Sequence, residues 1–183
     1  MIRRIALLTA AATVLAAGAQ LPRPAPDLTI NLNGGKKLQL SSYKGKPVVL
    51  AFILTTCSHC QATTGLLSKA QADYGSRGLQ VVESAIDQGA EAFVPRFIQT
   101  FNTPFPVGFN EVGVAQEFTQ HPPMKLMSMP LLVFIDRKGN IVAQYGGGDP
   151  EMADGIQEKT IRAEIEKLLK PAPAAVPAAK KKK

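Results

Sequence analysis

Val48-Val49-Leu50-Ala51-Phe52-Ile53-Leu54, followed after two threonines by Cys57-Ser58-His59-Cys60, is the stretch from which the rest of the sequence is best understood. An apolar run of this length has the signature of a β-strand buried on both faces. The four residues that follow open a polar, helix-compatible segment, and they hold the only two cysteines of the 183-residue chain. Two thiols separated by two residues, at the mouth of a strand and in the first turn of a helix, close a small disulfide that reopens easily. So short a loop removes little entropy from the unfolded chain, so the bridge would add little stability. Redox chemistry, rather than stapling, is the reading.

The physical reasons are local. A helix N-terminus presents free backbone N–H groups and the positive end of the peptide dipole, which favour a thiolate on Cys57. Cys60, one turn on, is placed as the resolving thiol. His59 lies between them, and an imidazole that is protonated or donates a hydrogen bond would stabilise the reduced form further, giving a comparatively oxidising couple.

Working outward, residues 20–26 read as a proline-rich spacer. Leu28 to Leu32 and Lys37 to Leu40 alternate apolar and polar residues around Gly34-Gly35, which predicts an N-terminal β-hairpin. A helix is expected from about Ser58 to Ser76, with Leu66, Leu67 and Ala70 on its apolar face, then a strand over Leu79 to Ile86. Ala90 to Phe101 reads as a helix in which Pro95 marks a kink or a late start. A short strand within Phe105 to Phe109 and a short helix over Val112 to Phe118 come next. Leu131 to Ile135, the turn Arg137 to Asn140 and Ile141 to Tyr145 form a second hairpin. A helix from about Asp154 to Leu169, with Ile156, Ile161, Ile165, Leu168 and Leu169 on one stripe, closes a single domain over 27–170. The order predicts an α/β fold with a central mixed β-sheet flanked by helices.

The two ends differ from this interior. Arg3-Arg4, the apolar run Ile5 to Ala17 and Ala17-Gly18-Ala19 have the three-part pattern of a secretory signal peptide, residues 1–19, so the expected location is periplasmic or otherwise extracytoplasmic. Residues 171–183, Pro/Ala-rich and ending in four lysines, read as a disordered tail, either simply solvated or in contact with anionic surfaces. The chain carries 21 basic against 14 acidic residues. Six of the basic ones lie at the two ends, which leaves the interior nearly neutral and gives no indication of a nucleic-acid-binding domain.

Taken together, Ala25-Pro-Asp-Leu28, Leu40-Ser-Ser-Tyr-Lys-Gly-Lys-Pro-Val-Val-Leu50, the CxxC after that strand, Met129-Pro130 and Ile135-Asp-Arg-Lys-Gly-Asn-Ile-Val142 resemble the TlpA/ResA-type thioredoxin-like proteins, in the same order, over roughly Pro26 to Leu169. The resemblance implies a thioredoxin fold with an added N-terminal hairpin and an exported thiol-disulfide oxidoreductase acting through a mixed disulfide; it leans toward a reductant where His59 leans toward an oxidant, so the direction stays open. It implies no cofactor beyond the Cys57–Cys60 disulfide. Expected partners are proteins with thiols or disulfides and a membrane or periplasmic redox partner. Carried over by position, Cys57 attacks, Cys60 resolves, and Pro130 is a cis-proline facing the disulfide, with Met129 and Thr56 toward the substrate.

Three departures qualify the resemblance. The family's Trp before the first cysteine is Thr56 here. Ala51 stands where thioredoxins place a buried Asp, and Thr63 where ResA-like members carry a Glu. Glu83, which interrupts an otherwise apolar strand, is the candidate replacement proton acceptor, set against the plainer reading that it points out at a sheet end or pairs with a basic residue. Two other chemistries compete. Cys57 and Cys60 with His121 and Met124 could hold copper(I) in a metal-delivery protein. A thiol peroxidase is less well supported, because Leu54 replaces the Thr of the peroxiredoxin P-x-x-x-T-x-x-C pattern and no proline is suitably placed.

Overall fold

The computed structural model describes residues 20–170 apart from Pro123. The expected signal peptide and the lysine tail lie outside the described residues. In chain order the strands are β1 (Arg23–Pro24), β2 (Thr29–Asn31), β3 (Lys37–Gln39), β4 (Val48–Ile53), β5 (Gln80–Ala85), β6 (Val107–Phe109), β7 (Leu131–Ile135) and β8 (Asn140–Gly146). The helices are α1 (Ser58–Tyr74), α2 (Ala90–Phe101), α3 (Val112–Thr119) and α4 (Gln157–Leu169). One mixed sheet runs β1-β8-β7-β4-β5-β6-β2-β3. Strands β4, β5 and β6 are parallel, β7 runs antiparallel beside β4, and β8 antiparallel beside β7.

Strand β4 sits near the middle of that sheet, and its composition follows from its place. Val49, Ala51 and Ile53 face a core shared with α1, α2 and α4. Val48, Leu50 and Phe52 face a second core with Ala115 and Phe118 of α3 and Leu28 and Ile30 of the N-terminal hairpin. All six residues are buried, so the usual alternation of polar and apolar residues is absent. Burial of such side chains contributes about 1.5–3 kcal/mol each.

The hairpin forms as expected, with Thr29 opposite Gln39 and Asn31 opposite Lys37, and it joins the sheet through Asn31 beside Phe109. Gly108 makes this approach possible. A Cβ there would overlap the Asn31 carbonyl oxygen and the Ile30 side chain, so no larger residue fits without moving β2 away.

Three local expectations need correction. Arg23 and Pro24, placed in the spacer, form an edge strand opposite Ile141 and Asn140, anchored by the Ala25 N–H to the Gly139 carbonyl at 2.9 Å and by the Arg23 guanidinium to the Phe118 carbonyl at 2.7 Å. The last helix begins at Gln157, after a 3-10 turn at Pro150–Met152, and Ile156 is about half exposed instead of joining the apolar stripe. Helix α2 starts at Ala90 and continues through Pro95. Its start is therefore not late.

Candidate active site

The cysteines leave the sheet at the C-terminal end of β4. Cys57 has extended backbone dihedrals and is the N-cap of α1, its Sγ accepting the Cys60 N–H at 3.4 Å. It takes the place usually held by Ser, Thr or Asp, whose side chains satisfy the same orphan donors. Cys57 is half-buried, Cys60 is fully buried, and both are free thiols. The Cys60 sulfur accepts the Leu54 N–H at 3.4 Å. Burial pushes the Cys60 thiol well above the ordinary thiol range; the Leu54 N–H opposes this, while Cys57 and Glu83 add to it.

The turn before Cys57 is held from two sides. The Asp87 carboxylate, just after β5, accepts the Thr55 N–H at 2.8 and 3.0 Å and the Thr55 hydroxyl at 3.1 Å. From α1, the Gln61 amide donates to the Thr55 carbonyl at 2.9 Å. Charge-assisted bonds of this kind are roughly twice as strong as neutral ones. Thr56, between the clamped residue and Cys57, is exposed.

Glu83 resolves differently from the plainer reading of the sequence. It is fully buried in β5 and sits opposite Ala51 of β4, so it faces the same core as Cys60. No ion pair within 4 Å reaches it among the described residues. Its polar contact is the Thr64 hydroxyl, 3.0 and 3.2 Å from its two oxygens. Burial pushes its carboxyl up to about 8, partly offset by Thr64. The same Thr64 oxygen lies 3.0 Å from the Cys60 carbonyl. One hydroxyl proton cannot serve both acceptors. It turns to the carboxylate when Glu83 is ionised and is released to the carbonyl when Glu83 carries its own proton.

The other expected site residues divide. The Met129–Pro130 bond is cis. Pro130 is buried, and its neighbour Leu131 pairs with Phe52, which brings the bond beside the end of β4. The Met129 carbonyl rests against Gly147, where a Cβ would overlap its oxygen. His59 is exposed, and its ring makes no hydrogen bond to Cys57 among the described residues. Thr63 is buried, donating to the His59 carbonyl at 2.8 Å and accepting from the Gln157 amide at 2.6 Å. That position ties α4 to α1 instead of serving as a base. His121 contacts the Lys125 carbonyl at 3.0 Å and Met124 is fully exposed. No group of three or more His, Cys, Asp or Glu gathers as a metal site among the described residues, so His121 is not brought to the cysteines.

Asp87, Gln61, Thr64 and Gly147 had no sequence signal, because each acts on a residue far along the chain or in another element.

Comparison with known proteins agrees with this geometry. The chain is 28% identical over 125 residues to the thioredoxin-like protein YneN of Bacillus subtilis, covering 68% of this chain and 70% of that one. It is 32% identical over 104 residues to the thiol-disulfide oxidoreductase ResA of Oceanobacillus iheyensis, covering 57% of this chain and 51% of the relative. In structure it superposes on a thioredoxin-family thiol:disulfide interchange protein of Chlorobium tepidum with a TM-score of 0.67 at 22% identity, covering 84% of this chain and all of that one. The thioredoxin domain of a thiol-disulfide oxidoreductase from Bacteroides vulgatus superposes with a TM-score of 0.63 at 20% identity, covering 85% of this chain and 99% of that one. Those two likenesses establish the thioredoxin-like fold. The AhpC/TSA family model matches residues 21–144, and with the CxxC at the strand-to-helix junction the chain belongs to the AhpC/TSA family, as a thioredoxin-like protein of the thiol-disulfide oxidoreductase type.

Proposed function

We propose that the mature protein acts outside the cytoplasm and reduces disulfides in other proteins through Cys57 and Cys60. The observation that carries this reading is the asymmetry of the pair: Cys57 is half-buried on a helix N-terminus, and Cys60 is buried behind it in the core shared with Glu83. The Cys57 thiolate attacks a substrate disulfide, forming a mixed disulfide and releasing one substrate thiolate. Cys60 loses its proton and attacks the Cys57 sulfur, which forms the Cys57–Cys60 disulfide and releases the second substrate thiolate. The substrate gains two electrons and the protein loses two. Ionised Glu83 takes the Cys60 proton, and its carboxyl at about 8 is close enough to neutrality to return that proton when the pair is reduced again.

Direction follows from what stabilises the reduced form. Cys57 has the helix terminus and one N–H, the exposed His59 adds no hydrogen bond, and burial holds Cys60 as a neutral thiol. Hydrogen bonds to the Cys57 sulfur beyond that one N–H, which would stabilise its thiolate and make the couple more oxidising, are absent among the described residues. Equilibration with glutathione buffers should give a potential near the thioredoxin value of about −270 mV. A value near about −120 mV would reverse the direction. A Cys60→Ser variant should accumulate a mixed disulfide with protein substrates, and failure to trap one would sink the mechanism.

A further inference from the structure

A groove that begins at Thr56, the residue before Cys57, bears on the substrate in a way that the cysteines do not. Between the active-site turn and α2 lies an open depression of about 660 Å³ that starts at Thr55, Thr56 and Gln61 and runs along α2 past Phe93, Arg96, Phe97 and Phe101. The α2 residues recur at helical spacing, so they form one continuous stripe. Phe97 and Phe101 pack with ring centroids 4.6 Å apart and form an apolar floor. Phe93 is 49% exposed despite its size. Arg96 is the only ionisable side chain lining the groove and has no ion-pair partner among the described residues. Exposed Thr56 lines one end of the groove and precedes Cys57 in the chain.

We infer that this groove is the docking site for the polypeptide segment adjoining the substrate cysteine, and that it selects segments with an aromatic or large aliphatic residue and an acidic residue. The inference rests on the exchange reading above and adds a substrate class to it. Length and charge identify the occupant. From Ala92 to Phe101 the stripe rises by roughly 14 Å at ~1.5 Å per residue, which about four residues of extended chain would span at ~3.3 Å each. A chain covalently held at Cys57 meets Thr56 first and Arg96 further on. An unpaired guanidinium on the rim favours a carboxylate and disfavours an ammonium, whereas Phe93 gives an apolar side chain a surface to cover. A small disulfide would leave most of this surface empty.

The test uses the mature chain and two ten-residue peptides, each with one cysteine activated as a mixed disulfide with thionitrobenzoate. One carries Phe and Glu within four residues of the cysteine, and the other carries Phe and Lys. The readout is the ratio of second-order rate constants, which cancels the intrinsic reactivity of Cys57. We expect the acidic peptide to react at least about threefold faster, in line with one exposed charge pair. Arg96→Glu should bring the ratio below one, and 0.5 M salt should shrink it toward one. Phe93→Ala should lower the rates for both peptides relative to a pair in which Phe is replaced by Ser. Equal rates for the acidic and basic peptides, or a ratio unmoved by Arg96→Glu, would overturn the inference. Binding of the same sequences, with Ser for Cys and a fluorescent label, to the Cys57→Ser/Cys60→Ser chain is measured in parallel by anisotropy. Charge-selective binding there, with no reaction of the parent chain toward either activated peptide, would support the groove and overturn the exchange reading. Exchange without selectivity in either measurement would do the reverse.

Discussion

Glu83 and Ser84 are neighbours on β5, both fully buried, and they face opposite sides of the same sheet. Ser84 donates to the Asn110 side-chain carbonyl at 2.8 Å, and the Asn110 amide donates to the Thr29 carbonyl at 2.8 Å. That chain is neutral, and it stitches the N-terminal hairpin to the sheet. Among the described residues Glu83 has only the Thr64 hydroxyl, which it shares with a backbone carbonyl. A buried polar group stabilises when its partners are complete and costs free energy when they are not. One face of β5 therefore holds polarity that serves the fold, and the other holds an ionisable group that the fold would be more stable without. The second kind lies on the side of the cysteines.

Four substitutions bear on that contrast. The largest effect is expected at the cysteine that the Glu83 face serves: Cys60→Ser should lower multiple turnover by about 10³-fold or more while Cys57 still reacts once, read by stopped flow against mass spectrometry of the adduct. Next, Glu83→Gln should slow resolution of the mixed disulfide by about 10²-fold. The parent rate should rise with pH up to about 8, and the variant should lose that limb. A preserved limb would assign the proton transfer to another group.

The stability effect of the same substitution has the opposite sign. The folded Glu83 pKa is raised above its unfolded value, so between roughly pH 4.5 and 8 the folded state binds more protons than the unfolded state, and stability falls as pH rises. Glu83→Gln removes that slope, and urea melts should show the variant gaining on the order of 4 kcal/mol at pH 8 relative to pH 4.5. On the other face, Ser84→Ala should cost about 1–2 kcal/mol at every pH and leave the exchange rates unchanged. If Ser84→Ala slowed exchange as much as Glu83→Gln, the division between the two faces would fail. The smallest effect is expected at Asp87→Asn, which keeps the shape of the Thr55 clamp but removes its charge. Reaction of Cys57 with a small disulfide should slow only a few-fold, with a shift of a few degrees in Tm.

The strands and helices were largely legible because their patterns are local. Val48 to Ile53 is apolar throughout, the two hairpins alternate around glycine turns, and Ile161, Ile165, Leu168 and Leu169 recur at helical spacing. The cysteine pair was legible for the same reason: both thiols and the helix start lie within four residues. Glu83 could be singled out as an anomaly in its strand, but not resolved, because its burial depends on α1 laying Thr64 over it from 19 residues away. The Asp87 clamp spans 32 residues, and an Asp after a strand carries no sign of what it will hold. Strand β1 escaped notice because two residues, one of them proline, cannot show a period. His59 shows the limit of sequence adjacency: two residues from Cys57 in the chain, it is exposed and makes no hydrogen bond to it among the described residues.

Strand β1 also bears on how the protein behaves in company. The outer strands of the sheet are β1 and β3. The first is two residues long and ends in Pro24, which has no N–H to offer. The second is three residues long and begins at Lys37. Short edges interrupted by proline or lysine are poor templates for another strand. An edge strand with unpaired N–H and C=O groups is otherwise a ready template for pairing with another chain. Here both margins of the sheet are blunt, and neither offers another strand a long row of donors and acceptors to pair with.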